Sequence, residues 1–153
     1  RVCVFVDASI RGGRAAYSVV VIREDRLPEL GRRLRWVKHR RRLGEEERRG
    51  YDSAFPRRLE RLLSLGLVER AIIARSLEGL ALFLKRLRSE YRVAAAYIDD
   101  KVLAELRRRH PEAIRGVEAR PESETTRRRG DLRRAMLLAD NLAGLAASGR
   151  LEK

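Results

Sequence analysis

The sequence is poor in the residues that build covalent frameworks and soft-metal sites. Its 153 residues contain one cysteine, Cys3, and two histidines, His39 and His110. One cysteine cannot form an internal disulfide, and this set cannot supply a cysteine- or histidine-rich zinc site. Any metal site must therefore be made of carboxylates.

Long apolar runs and amide side chains are also scarce. No stretch approaches the roughly 18 apolar residues that a membrane-spanning helix needs, and no charged-then-apolar leader opens the chain. We therefore expect a cytoplasmic protein with no membrane partner. Glutamine is absent and Asn141 is the single asparagine, whereas 38% of residues are charged, a composition typical of thermophile proteins.

Positively charged residues are the most prominent feature of the composition. Lys and Arg total 36 against 22 Asp and Glu, which gives a net charge of +14. Only four of the cations are lysines, and the planar guanidinium of arginine suits phosphate groups. Ion-pair networks explain a high charge count but not such an imbalance, so we expect a nucleic-acid partner, RNA or DNA.

The hydrophobic pattern predicts one α/β domain over residues 1–153, because 44% of the residues are hydrophobic and no linker divides the chain. Two early strands joined through Gly12-Gly13 predict an antiparallel hairpin. Later strands alternate with helices, which predicts a mixed sheet with helices on its faces. The predicted strands are residues 2–6, 15–22, 34–39, 68–74, 93–98 and, weakly, 116–119. The predicted helices are one started or kinked by Pro56, then 77 to about 91, 101–109 and 131 to about 147, with a polar loop at 120–130.

Three aspartates lie in unusually apolar surroundings. Asp7 ends the first strand, Asp99 ends the strand at 93–98, and Asp140 lies within the closing helix. A buried carboxylate is costly unless a cation or hydrogen-bond donors compensate it. Two strand ends and an adjacent helix can bring these residues together, where Mg²⁺ or Mn²⁺ would neutralise them and support phosphodiester hydrolysis.

Each aspartate also has a structural interpretation. Asp7 could cap a turn with Ala8 and Ser9, and Asp99 or Asp100 could cap the helix that starts at Lys101. Asp140 is the hardest to explain in this way, because it lies at the core-facing edge of its helix, where an unpaired aspartate is rare.

The positions of these three aspartates resemble those in the ribonuclease-H-like superfamily, which includes ribonucleases H and Holliday-junction resolvases. The Asp7-Ala8-Ser9 segment is similar to its first hairpin, Tyr97-Ile98-Asp99 to its second acidic strand end, and the segment around Asp140 to its closing acidic helix. The resemblance implies a ribonuclease-H-like mixed sheet and a divalent-metal-dependent nuclease acting on structured or double-stranded nucleic acid. Asp7, Asp99 and Asp140 would then be the catalytic metal ligands. A fourth ligand stays open among Glu60, Asp100, Glu124 and Asp131.

Other functions fit the same pattern. A PIN-type nuclease also opens with a strand similar to Val4-Phe5-Val6-Asp7, although a helix follows that strand in PIN-type nucleases. A catalytically inactive nucleic-acid-binding module of the same fold, or a basic subunit of an RNA–protein assembly, would explain the charge without catalysis. In each case we expect the nucleic acid to contact arginines and a lysine near the aspartates: Arg11, Arg14, Arg35, Lys38, Arg40, Arg41, Arg42, Arg127, Arg128 and Arg129.

Overall fold

The computed structural model describes residues 1–127 and 130–149 of the chain. Within this part, five strands form one sheet in the order β3-β2-β1-β4-β5. Their bounds are β1 Val2–Arg11, β2 Arg14–Arg23, β3 Arg70–Ala74, β4 Val93–Ile98 and β5 Ala119–Pro121. The sheet is mixed, because β2 is antiparallel to β1 and β3 while β1, β4 and β5 are mutually parallel. The predicted α/β class with a mixed sheet is confirmed.

The hairpin that opens the fold turns in two residues. Gly12 and Gly13 both have positive φ, 55° and 79°, the backbone region that a tight hairpin turn requires and that glycine adopts without strain. The paired strands continue past Asp7 to Arg11 and Arg14. The hairpin is confirmed, but it is longer than the predicted strands, since its tip carries polar residues that the apolar pattern did not include.

Helices cover both faces of the sheet. They are α1 Leu27–Arg33, α2 Glu45–Ser64, α3 Leu77–Glu90, α4 Asp100–Arg109 and α5 Gly130–Ala147. Side chains alternate along β1, so Phe5 packs with α1, α2 and α5, whereas Val4 and Val6 pack with α3 and α4. Among the described residues, no helix has the length and apolar character needed to cross a membrane.

The strand predicted at residues 34–39 is wrong. The chain there leaves α1, makes a turn and enters a short 3-10 helix at Arg40–Arg42. Leu27, Leu30, Leu34 and Val37 are all buried, and their spacing of three to four residues places them on one helical face. The apparent alternation of apolar and basic residues was therefore the end of a helical pattern.

Smaller differences concern element boundaries. Pro56 lies inside α2, which begins eleven residues earlier at Glu45, so the proline neither starts the helix nor ends it. The last strand, predicted at 116–119, is Ala119–Pro121. The loop predicted at 120–130 contains a 3-10 helix, Glu122–Arg127. The helix predicted at 77 to about 91 and the strand at 93–98 are confirmed as α3 and β4.

Candidate metal centre

Three neighbouring parallel strands place three acidic residues at one edge of the sheet. Val6 of β1 is paired with Ile98 of β4, and Ile98 is paired with Pro121 of β5. The next residue along each strand direction is acidic: Asp7, Asp99 and Glu122. Because the carboxyl ends of parallel strands share an edge, the strand register itself brings these residues together.

The three carboxylates converge in space. Asp7, Asp99 and Glu122 each offer one oxygen, and these oxygens lie within 4.8 Å of one another. Asp7 is only 4% exposed, while the other two are half-buried. Carboxylate oxygens are the ligands that Mg²⁺ and Mn²⁺ prefer, so this group could hold a divalent cation.

The cluster lies where ligands bind in open α/β sheets. β1 and β4 are neighbours in the sheet. The chain continues from β1 to β2 on one side of this pair and from β4 to β5 on the other side, so the position between β1 and β4 is a topological switch point. An open cleft of about 1120 Å³ includes Asp99 and Glu122 in its wall. Other parts of the wall come from the hairpin beyond Asp7 and from the start of α4.

Backbone amides support two of the three carboxylates. Asp7 Oδ1 accepts a hydrogen bond from the Ala8 amide at 2.7 Å. Asp99 Oδ2 accepts hydrogen bonds from the amides of Lys101 and Val102 at 3.1 and 3.2 Å. Asp99 therefore caps α4, as its structural interpretation predicted. None of the basic side chains that the structure describes lies within ion-pair distance of the three carboxylates.

Burial and mutual repulsion raise two pKa values. Burial is the main cause that raises the pKa of Asp7 to about 9, and the charges of Glu122, Asp140 and Asp99 add to it. Burial likewise raises the pKa of Glu122 to about 7, with further contributions from the nearby aspartates. Without a cation to compensate the cluster, Asp7 therefore favours its neutral form at neutral pH, whereas Glu122 favours it only below about pH 7.

Asp140, the third predicted ligand, lies beside the cluster rather than within it. Its charge raises the pKa values of both Asp7 and Glu122, but it does not belong to the group whose oxygens lie within 4.8 Å of one another. A buried hydrogen bond fixes the helix that carries it: Ser18 Oγ donates to the Ala139 carbonyl at 2.6 Å. Ser18 is the cross-strand partner of Asp7, so this bond holds α5 next to Asp7.

Glu122 was missed because the polar segment around it carries no hydrophobic periodicity. The strand predicted at 116–119 ends three residues before Glu122, whereas β5 extends to Pro121, so that Glu122 follows β5 directly as Asp99 follows β4. None of the four residues left open as a further ligand joins the three-residue group. Glu60 is exposed on α2, Glu124 bonds Arg120 at 2.8 Å, and Asp131 accepts a bond from the Leu132 amide. Asp100 lines the cleft and accepts a 3.4 Å hydrogen bond from the Ser123 amide.

Three cations line the same cleft without an acidic partner. Arg11, Arg41 and Lys101 are exposed, and none forms an ion pair within the described part of the chain. Arg109 also lines the cleft but is paired with Glu78 at 3.0 Å. The cleft therefore combines an acidic end with cations that are available to an anion.

The remaining predicted nucleic-acid contacts are scattered. Arg40 is buried and paired with Asp52, so its inclusion among the nucleic-acid contacts is wrong. Lys38 is paired with Glu47 at 3.7 Å. The exposed Arg14, Arg35 and Arg42 do not line the cleft. Arg128 and Arg129 lie outside the described residues, as does the side chain of Arg127.

Comparison of this chain with protein-family models, curated proteins and solved structures finds no match. The chemistry of the site is therefore the basis on which a function can be proposed.

Proposed function

We propose that the protein is a divalent-metal-dependent nuclease that hydrolyses phosphodiester bonds in nucleic acid. The observation that supports this most is the convergence of Asp7, Asp99 and Glu122 at a cleft, with no basic side chain of the described residues paired to them. A protein does not stabilise itself by collecting uncompensated carboxylates, because each one repels the others and resists burial. Such a cluster is expected where a cation binds.

In this proposal Asp7, Asp99 and Glu122 are the metal-holding residues. The Ala8 amide orients the carboxylate of Asp7, and the first turn of α4 orients that of Asp99. Asp140 contributes negative charge from α5. When bound, Mg²⁺ or Mn²⁺ would supply Lewis-acid chemistry that activates water and stabilises the leaving oxygen of a phosphodiester.

The cations of the cleft support a polyanionic substrate. Arg11, Arg41 and Lys101 line the cleft together with Asp99 and Glu122. Carboxylates alone would repel a phosphodiester, whereas cations at the same cleft can hold its backbone. The net charge of +14 gives the whole molecule a field that attracts nucleic acid.

The resemblance to the ribonuclease-H-like superfamily is consistent with this proposal. Asp7 lies on a hairpin strand, Asp99 follows a later strand, and Asp140 lies in the last described helix, which are the positions that the resemblance assigns to acidic residues. Glu122, after β5, would be an additional ligand. We rank a PIN-type nuclease lower, because β1 is followed here by β2 and not by a helix.

A cleavage panel tests the function. The wild-type protein would be incubated with Mn²⁺ or Mg²⁺ and an RNA–DNA hybrid, branched DNA, duplex DNA or single-stranded RNA. We expect cleavage of at least one substrate, loss of cleavage in EDTA, and loss in Asp7→Asn. Asp25→Asn is the matched control, because Asp25 is an exposed carboxylate at the opposite end of the β1–β2 hairpin from its turn.

The outcomes separate the candidate functions. Binding without cleavage, unaffected by metal or by Asp7→Asn, would contradict the nuclease and leave the nucleic-acid-binding module. Cleavage that persists in both EDTA and Asp7→Asn would show a contaminating activity and would contradict the role of the cluster. Absence of both binding and cleavage at low salt would contradict any nucleic-acid function.

A further inference from the structure

We propose that Arg41 is a preorganised phosphate-binding residue of the cleft, and that Arg40, Asp52 and Arg48 are its positioning residues. The inference rests on the proposed function and names the group that would hold the nucleic-acid backbone beside the metal centre. It concerns residues 38–43, which we term the Arg41 turn.

A buried ion pair with Asp52 fixes the Arg41 turn to α2. Arg40 Nε and Nη2 donate to the two carboxylate oxygens of Asp52, both at 2.7 Å. Arg40 is 7% exposed and Asp52 is 5% exposed. A bidentate pair of this kind fixes direction as well as distance, so the backbone at Arg40 has little freedom relative to α2.

A second arginine fixes the carbonyls of the same turn. Arg48, on the first turns of α2, donates to the carbonyl oxygens of Arg40, Arg41 and Leu43 at 2.9, 3.3 and 3.1 Å. One guanidinium therefore contacts the backbone on both sides of the Arg41 side chain. These bonds satisfy carbonyls that an irregular segment would otherwise leave without a protein partner.

The turn is also joined to the helix that carries Asp140. The Asn141 side-chain amide donates to the Lys38 carbonyl at 2.9 Å, and the Lys38 amide donates to the Tyr51 hydroxyl at 3.2 Å. A Cβ atom at Gly144 would lie only 3.0 Å from Arg40 Nη1, so the Arg40 guanidinium packs directly on α5. The Arg41 turn is thus fixed to α2 and α5 together.

The fixed Arg41 turn places one cation, Arg41, in the wall of the cleft. Arg41 is exposed, lines the cleft with Asp99 and Glu122, and has no ion pair within residues 1–127 and 130–149. A guanidinium on a fixed backbone loses less freedom on binding than one on a mobile loop, and its fork matches two phosphate oxygens. Arg109 also lines the cleft, but Glu78 and Glu105 already neutralise it.

Binding of a labelled oligonucleotide tests the assignment. The probes are a fluorescein-labelled single-stranded 12-mer and the corresponding duplex, measured by anisotropy in EDTA over a series of salt concentrations. We expect Arg41→Ala to weaken binding about tenfold and to reduce the slope of log Kd against log salt by about one phosphate contact. Arg41→Lys should recover part of the loss, because it restores the charge but not the fork.

Arg92→Ala is the matched control. Arg92 is also exposed and has no ion pair in the described part of the chain, but it precedes β4 at the edge of the sheet opposite the cleft. The two variants have the same net charge, so a general electrostatic effect would weaken both equally. Equal weakening would overturn the role of Arg41.

The positioning role has its own test. Arg48→Lys keeps the charge but cannot bond three carbonyls in the same way, so we expect binding to weaken about threefold, with no further loss when Arg41→Ala is already present. Full additivity of the two losses would overturn the positioning role. Absence of wild-type binding to either probe would overturn the proposed function as well, whereas wild-type binding with Arg41→Ala equal to Arg92→Ala would overturn this inference alone.

Discussion

Two carboxylates of this protein are buried to the same extent, yet they have opposite surroundings. Asp52 is 5% exposed and meets the guanidinium of Arg40 through two hydrogen bonds of 2.7 Å. Asp7 is 4% exposed and receives one bond from the Ala8 amide, with Asp99, Glu122 and Asp140 as its charged neighbours. The first arrangement compensates a buried charge, and the second concentrates charges of one sign.

A buried carboxylate that is paired with a cation contributes to the stability of the fold, whereas a buried cluster of carboxylates is expected at a functional site. Removing one partner of a compensated buried pair leaves an unpaired charge and destabilises the fold. Removing a carboxylate from a cluster of like charges should relieve repulsion and stabilise the fold. Such a gain in stability is frequent when active-site residues are replaced. The following variants test this difference, in decreasing order of the change that we expect in the free energy of unfolding.

Asp52→Ala should cause the largest change. It leaves the buried Arg40 guanidinium without its carboxylate, so we expect the free energy of unfolding to fall by about 3–5 kcal/mol. Urea denaturation measures this change. Asp25→Ala is the control, since it removes the exposed partner of Arg23 and should cost less than about 1 kcal/mol. Equal losses in the two variants would contradict a structural role for the Arg40–Asp52 pair.

Asp7→Asn should have the opposite sign. In EDTA at pH 8, we expect it to raise the free energy of unfolding by on the order of 2 kcal/mol, because asparagine keeps an oxygen for the Ala8 amide and removes the cost of protonating a carboxyl that the unfolded chain holds ionised. Thermal and urea unfolding both report the change. A loss of stability comparable to that of Asp52→Ala would show that Asp7 is part of the structural framework.

The gain from Asp7→Asn should depend on pH. The pKa of Asp7 is raised to about 9 from an ordinary value of 3.8, so the folded state holds a proton that the unfolded state releases between these values. The stabilising effect of this proton is fully present below pH 4 and is lost as the pH rises towards 9. The melting temperatures of wild type and Asp7→Asn in EDTA should therefore diverge progressively across that range.

The melting temperature of Glu122→Gln should diverge from that of wild type by less than that of Asp7→Asn does, and the divergence should end at a lower pH. The pKa of Glu122 is raised from 4.5 to about 7, so its difference from wild type should grow between these pH values and then level off. The same series of melting curves checks this. Parallel curves for wild type and both variants would contradict the uncompensated burial of the cluster.

Ser18→Ala should have the smallest effect. Ser18 is buried and its hydroxyl donates to the Ala139 carbonyl, so its loss should cost about 1 kcal/mol. Ser53→Ala, at an exposed position on α2, is the control and should be close to neutral. A neutral Ser18→Ala would indicate that this bond does not hold α5 beside Asp7.

Local patterns in the sequence predicted much of the fold. The valine-rich hairpin strands and the strand at 93–98 are continuous apolar runs, the leucines of α3 follow the helical period, and all three predictions are confirmed. The strand predicted at 34–39 is wrong because a short run of apolar residues spaced three to four apart was interpreted with a period of two. A pattern of six residues is too short to separate the two periods.

The candidate site was only partly predictable. Asp7 and Asp99 were identified because each follows an apolar strand, and the structure brings them together with Glu122. Glu122 depends on the register between β4 and β5, which no local pattern contains. The burial of Arg40 depends in the same way on Asp52, a residue of another element, so its position within a basic run was misleading.

Isothermal titration of MnCl₂ into the protein at pH 7.5 determines whether Asp7, Asp99 and Glu122 form a divalent-cation site. We expect saturable binding in wild type and in Asp25→Asn, together with a raised melting temperature, and no saturable binding in Asp7→Asn. Heats indistinguishable from dilution in the wild type, or equal binding by Asp7→Asn, would contradict a divalent-cation site formed by Asp7, Asp99 and Glu122.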